Sequence, residues 1–520
     1  MARGKIITTL RQRREIEQQI RDLVALKAPD EIERHIAAIL AHGDTLIPTL
    51  LANLDTAEPH FRGALGLIAA RLPAENIAPA LRSLAADSGQ PDQARLTAVM
   101  ILERYLGESI EPGILTGLDD PREIALQSLR EVVSESAKDR AILAEYARSF
   151  GEQPDDVASV VLDALELIPP EDQPDLLRVL AQDERVFVRD GVLALLGRNR
   201  TPAAGRALQI LLPTAPAALQ PIIQRSLRKR NLAGGPVEPL PPLDPTWRVL
   251  ASPLDGQGTQ SIWFLQERAG QEECRFLSVL INDQHGIKDA FGGDHIQGQH
   301  FPAAAPLGVQ HAVPLHESSL TLHLLEASFD YGRRRILAGL KINAERRNPT
   351  PVEYRLLNDF LWGYQLDDGA RTPQLPEMDE AGARLLLPRT MRLLDLPDFT
   401  TWFMESESLL AYAERVRALA STGGAVSVPR PWIAELAGAH FESAERRALY
   451  AARLDAMSEW LLLGGHIEPA RLARAAALTM DGTPPAEHPF LLRLAQIGLG
   501  VAISALSHGM HLRMGRPGED

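Results

Sequence analysis

The chain has 520 residues, of which 45% are hydrophobic, 23% charged and only 5% aromatic. It is too long for a single hydrophobic core, and its aliphatic, aromatic-poor composition favours helices. A net charge of −14 with a pI near 5.5 excludes a surface that is basic throughout, the kind that nucleic acid or anionic lipid would select.

Cys274 is the only cysteine, which excludes an intrachain disulfide and a thiolate metal cluster and makes a reducing cytoplasm the expected location. The first residues, MARGKIITTLRQRREIEQQ, lack the apolar core of a signal peptide. The longest uncharged apolar run, Leu494 to Ser507, is short of the ~18 residues of a membrane span. A soluble chain with no membrane partner is expected. Basic charge is carried almost entirely by Arg, a bias of GC-rich genomes to which no chemistry is attached.

Residues 1–232 read as short amphipathic helices separated by Asp, Pro and Gly. Ile16, Ile20, Leu23 and Val24 fall at i, i+4, i+7 and i+8, one face of a helix. Such a stripe needs a partner, and self-comparison supplies one. The segment DERVFVRDGVLALLGR, Asp183 to Arg198, has weaker copies in FRGALGLIAARL from Phe61, ARLTAVMILERYLG from Ala94, PREIALQSLREVV from Pro121 and VASVVLDALELI from Val157. Aligning Arg62, Arg95, Arg122, Ala158 and Arg189 gives steps of 33, 27, 36 and 31 residues, about one helical hairpin each.

These features resemble the HEAT-like repeat family, including the short variety of phycobilisome lyase-type proteins. The clearest copy carries Asp183 five residues before Val188, then Arg189, the small Gly191 and the closing Leu196-Gly197. The resemblance covers residues 30 to 230 and implies an α-solenoid whose second helices line a concave binding surface, with an Asp to Arg ladder between repeats. Ala158 replaces the Arg in one copy. The resemblance implies no chemistry.

Residues 233–246 include the run AGGPVEPLPPLDPT, in which helix cannot propagate, and predict a Pro-rich linker and a domain boundary. The next residues switch to the period of strands. WRVLASPL, QSIWFLQER and CRFLSVLIN are rich in Val, Ile, Trp and Phe, with turns at DGQG and AGQEE. They predict a three-stranded antiparallel meander within residues 247–317, followed by a short helix or turn from Gly286 to Phe291. Trp247 and Trp263 are expected to pack one sheet face. Residues 318–520 predict a C-terminal helical domain, beginning with LTLHLLEASFDYGRRRILAGLKINAER as one or two helices. Within it Ala451, Leu454, Met457 and Leu461 mark one helix face, and Ser421 to Arg430 is a loop between lobes. The expected fold is therefore mainly α: a HEAT-like solenoid, a small β meander and a helical domain.

Asp283, His285, Asp289, Asp294, His295 and His300 crowd one short stretch and offer the oxygen and nitrogen ligands of Zn, Mn or Fe. No H-E-x-x-H helix and no H-x-E with C-x-x-C accompanies them. The competing reading is a turn after the third strand, with Asp283 as a cap, Ile287 and Phe291 as anchors, positive-φ glycines at Gly286 and Gly292-Gly293, and exposed histidines. Two basic runs, Gln224 to Arg230 and Tyr331 to Arg347, lack the aromatic interleaving that stacks bases. DGQG resembles a phosphate loop but lacks the third glycine and the strand-to-helix context. The expected function is a non-catalytic protein-interaction scaffold or adaptor with a protein partner, no cofactor and no catalytic residues. The alternatives are a metal-dependent enzyme with its site near Asp283 to His300, and a nucleic-acid-binding α-solenoid.

Overall fold

The computed structural model describes residues 15–23, 29–43, 46–56, 59–108, 121–232, 237–267, 272–314, 321–366, 377–404, 406, 408–420 and 428–507. The chain divides into two compact units, Met1–Ser128 and Leu129–Asp520. In the first unit residues 15–23 are helical, and Ile16, Ile20 and Leu23 are buried as their spacing predicts; Val24 lies outside the described residues. Helices α1 (Pro29–Leu40), α2 (Leu46–Ala52), α3 (Pro59–Ala69), α4 (Ala74–Ala86) and α5 (Asp92–Met100) follow, α5 running into a π-helical turn at Ile101–Tyr105. They enclose one aliphatic core from Ile16 to Leu102. Arg95, 1% exposed, donates from Nε to the Ala85 carbonyl at 2.9 Å, tying α5 to the end of α4.

Helix α6 (Pro121–Ser136) spans the division between the units. The second unit continues with α7 (Ala141–Gly151), α8 (Asp155–Leu165), α9 (Pro174–Leu180), α10 (Val186–Arg198), α11 (Pro202–Leu211) and α12 (Gln220–Leu232). From α7 to α12 each helix packs on the one two places ahead. The expected Asp183 to Arg189 ladder is not made. Asp183, 5% exposed, takes Arg185 instead, with Nε to Oδ1 at 2.9 Å and Nη2 to Oδ2 at 3.0 Å. Arg185 also donates to the carbonyls of Phe150 (3.0 Å) and Gln153 (2.9 Å) and lies 4.7 Å over the Phe150 ring. It therefore stitches the start of α10 to the end of α7. Arg189 stands one helical turn further on, and its Nε meets no partner among the described residues.

The described part of the Pro-rich segment is hydrogen-bonded into the second unit. Residues 237–246 lie within the second unit, where Leu243 N–H donates to Gln365 (2.9 Å) and Gln365 N–H to Pro241 (2.8 Å), a parallel β-bridge at Pro242. Proline forbids helix here but keeps its carbonyl, and those carbonyls find donors. Six antiparallel strands then form one sheet in the order β4-β3-β2-β1-β6-β5. They are β1 (Trp247–Ala251), β2 (Thr259–Glu267), β3 (Glu273–Asn282), β4 (Gly286–Gln297), β5 (Gln310–Pro314) and β6 (Thr321–Ala327). The first three and the DGQG turn are the predicted meander. Asp255 closes that turn by accepting from Gln257 N–H (2.9 Å) and Thr259 N–H (2.7 Å).

Four expectations are corrected. The helix or turn at Gly286 to Phe291 is the start of β4; Ile287 is buried, but Phe291 is 55% exposed and meets the Phe276 ring edge-on at 5.5 Å, so it is not the buried anchor expected. Gly286 has the expected positive φ of 79°. Gly292 does not; it is needed because a Cβ there would lie 2.0 Å from the Phe276 carbonyl oxygen, where β4 presses on a strand with irregular register. The run TLHLLEA is strand β6 rather than helix, so the sheet crosses the boundary expected at 317. Trp247 and Trp263 occupy opposite faces, because the register sets Trp247 beside Gln266 and Trp263 beside Leu250, an odd offset.

Helix α13 (Phe329–Arg346) lies against β1 to β4, joined by α14 (Val352–Leu357) and α15 (Asp359–Trp362). The opposite sheet face carries a second buried cluster of Leu250, Leu265, Cys274, Phe276 and Leu324. After α16 (Glu380–Leu386) and two 3₁₀ turns come α17 (Ser408–Ala420), α18 (Arg430–His440), α19 (Ala444–Leu463), α20 (Ile467–Thr479) and α21 (Pro489–Ser507). Residues 421–427 of the expected inter-lobe loop lie outside the described residues. On α19 Leu454, Met457 and Leu461 are fully buried, as predicted. The lobe is pinned to the sheet by Trp460 Nε1 on the Ala251 carbonyl (3.0 Å) and Trp402 Nε1 on the Leu254 carbonyl (2.8 Å). Among the described residues α21 is the one helix long and apolar enough to cross a membrane; its Phe490, Leu491, Leu494 and Leu499 are buried, and it packs on α17 and α18.

His488, fully buried before α21, has its pKa pushed down to about 4 by burial. Its neutral ring holds Thr479 Oγ1 at 3.2 Å. Because the unfolded chain binds a proton near pH 6.5 that the folded chain refuses, stability is complete above that pH. It falls as pH drops from 6.5 towards 4, by on the order of 3 kcal/mol. Urea unfolding at intervals over that range should show this loss, and His488→Leu should reduce it, leaving the part contributed by His440, which burial and then Arg446 also push down to about 4.

Candidate functional site

Beside the second sheet face lies an open cleft of about 3270 Å³, entirely within the second unit. Its walls come from the ends of β1, β2, β3 and β6, the segment from Gln297 to Leu307, the start of α13, the region of α16, and one side each of α19 and α20. Strand alternation puts Arg248 of β1 and Glu326 of β6 on this face, next to Leu250.

Arg248 organises the floor. Its Nη1 donates to Glu267 Oε1 (2.8 Å) and the Pro302 carbonyl (2.8 Å), and its Nη2 to the Ala303 carbonyl (3.2 Å) and to Glu326 Oε1. Glu326, 2% exposed, also meets His311 Nε2 at 3.0 Å and Ala305 N–H at 3.3 Å. A buried ion pair thus straps the irregular segment after β4 across the sheet, supplying hydrogen bonds to a backbone that no strand pairs. Gly308 N–H on the Glu326 carbonyl (2.9 Å) completes the strap. On the far wall Arg334 pairs with Asp330 (3.0 Å) and Glu459 (2.8 Å), and Arg474 with Asp455 (2.5 Å).

The lining carries nine carboxylates, at Glu267, Glu272, Glu273, Glu326, Asp330, Glu377, Asp379, Asp455 and Glu459, against four arginines, at Arg248, Arg334, Arg471 and Arg474. Two large apolar side chains stand out at the cleft with little cover, Leu307 at 70% and Ile467 at 60% exposure. Cys274 is also in the lining, but it is buried, and desolvation followed by the nearby Glu267 pushes its pKa up. The thiol therefore stays protonated at neutral pH and is a poor nucleophile.

The structure strings the six sequence-predicted ligands along β4 and its two ends. Asp283, in the turn before β4, is held by Arg453 Nε (2.6 Å) and Nη2 (3.0 Å). Asp294 is held by Arg275 (3.0 Å) and Arg140 (3.4 Å). Asp289 accepts from Ala290 N–H at 2.9 Å. His295 meets Glu273 at 2.8 Å with its side chain 75% exposed, and His285 and His300 are exposed. Among the described residues no three His, Cys, Asp or Glu converge on a point where a metal would sit.

Each basic run has arginines committed to the fold, while Arg225, Arg228 and Lys229 of the first and Arg346 and Arg347 of the second are exposed. Arg230 bonds the carbonyls of Asn199 and Thr201. Arg333 bonds those of Leu361 and Tyr364 between the rings of Phe329 and Trp362, and Arg335 bonds Gln260 Oε1 at 2.8 Å. The cleft itself escaped sequence reasoning, since its lining comes from residues 243 to 474. Arg248 in a β strand was the one local signal, an ion where a half-buried strand wants an apolar or neutral side chain. Comparison of the chain with protein-family models, with curated proteins and with solved structures finds no match to any of them.

Proposed function

We propose that this chain is a non-catalytic protein-interaction adaptor and that the cleft of its second unit, rather than a concave face of the helical repeats, is where the partner docks. The observation that carries this reading is size together with lining. About 3270 Å³ is several times the roughly 300–1,000 Å³ of a small-molecule site, and Leu307 and Ile467 offer apolar anchors of the kind that dominate protein interfaces. The polar groups of the floor and far wall are spent on ion pairs that hold the cleft open, which supports a binding surface over a reacting one.

Site-specific photocrosslinking tests the reading. A photoreactive side chain at position 307 or 467 should yield a discrete protein adduct in extracts of the source organism. The same group at Val186, 59% exposed and outside the cleft, should not. Equal labelling from all three positions, or none from the cleft, overturns the proposal.

A further inference from the structure

We infer that the occupant of this cleft is an extended polypeptide segment with Arg or Lys flanking an apolar side chain; the inference rests on the reading of the cleft as a protein-docking site. Charge complementarity comes first. Nine lining carboxylates face four arginines, and three of those arginines are already spent on Glu267 and Glu326, on Asp330 and Glu459, and on Asp455. Glu272 and Glu377 are exposed and have no ion-pair partner among the described residues, so a cationic occupant gains new pairs without breaking any. A like-charged segment would meet a field of one sign focused by the cleft walls.

The remaining features are not electrostatic. Leu307 and Ile467 require an apolar group on the occupant, which excludes a purely hydrophilic polycation. A polyamine offers the charge but not the apolar group.

The test is selection of a displayed random dodecapeptide library on the full chain, followed by binding titrations of the winners. Enriched peptides should carry two or more Lys or Arg around an apolar residue and lose affinity steeply with added salt. They should bind the Glu272→Arg/Glu377→Arg double variant at least about tenfold more weakly, while binding a Glu145→Arg control, altered on α7 outside the cleft, unchanged. Both cleft substitutions are at exposed positions, and an unchanged melting curve will show that the fold is kept. Neutral or acidic winners that still block crosslinking from position 307 would overturn the basic-segment inference and leave the docking site standing. Winners that do not block it, or an empty selection, would overturn the inference together with its premise. Displacement of every winner by equimolar spermine would identify a small polycation as the occupant and overturn it too.

Discussion

Arg453→Met is expected to cost the second unit roughly 3–5 kcal/mol, the penalty for removing one partner of a buried ion pair. Arg453 is 5% exposed. It donates to both oxygens of Asp283 at 2.6 and 3.0 Å, and to the carbonyls of Gly256 (2.6 Å) and Gln257 (3.0 Å). One guanidinium on α19 thus locks the β1–β2 turn to the β3–β4 turn, and methionine fills its volume while satisfying none of the four acceptors. Urea denaturation of the full chain measures the loss, with Lys341→Met as the reference. That lysine belongs to an exposed helical pair with Glu345, where the change should be below about 0.5 kcal/mol. A loss below 1 kcal/mol for Arg453→Met would mean that the turns hold without it. Asp283 is thereby assigned to a structural ion pair, and Asp283→Asn should lower stability by less, because the amide still accepts one of the two bonds.

Arg178→Met is the second substitution with a large expected effect, again about 3–5 kcal/mol. Arg178 on α9 is 1% exposed and donates to the carbonyls of Arg355 (3.0 Å) and Leu356 (2.8 Å) and to Asn358 Oδ1. It also stands 3.6 Å from Asp359, which Arg140 holds at 2.9 Å. Burial pushes the Asp359 carboxyl pKa up, but Arg178 and Arg140 outweigh it and hold it below its ordinary value. The carboxylate's contribution is therefore present above pH 3.8 and lost as pH falls through its lowered value. Hydrogen exchange gives the sharper readout: amides of α9 and α14 should lose protection together in Arg178→Met. If only α9 is affected, the arginine serves its own helix and not the junction with α14 and α15.

Local pattern was legible wherever one face of an element meets one environment. The spacing of Ile16, Ile20 and Leu23, the alternation and β-branching of WRVLA, QSIWF and FLSVLI, and the Asp255 turn follow from neighbours within a few residues. The dominance of helix was readable for the same reason. Legibility failed where partners are distant. TLHLLEA has no clean period because its last four residues, Leu324 to Ala327, are buried in succession where β6 pairs with β1, and a run buried on both faces reads alike as helix or strand. Phe291 looked like an anchor because aromatic side chains usually bury, yet it sits on an edge strand.

The histidine and aspartate stretch shows the same division. Its composition was visible, but whether six ligand-type side chains converge depends on the path of the backbone. Extended over β4, they spread along a strand at more than 3 Å per residue. Their partners, Arg453, Arg275 and Arg140, lie up to 170 residues away. By itself the sequence determined the helical class, the central strands and the absence of a disulfide, because these depend on residue type and short-range order. Only tertiary structure decided the cleft, the strap held by Arg248 and Glu326, and the docking of the Pro-rich segment, because each depends on buried charges and backbone groups finding partners from distant parts of the chain.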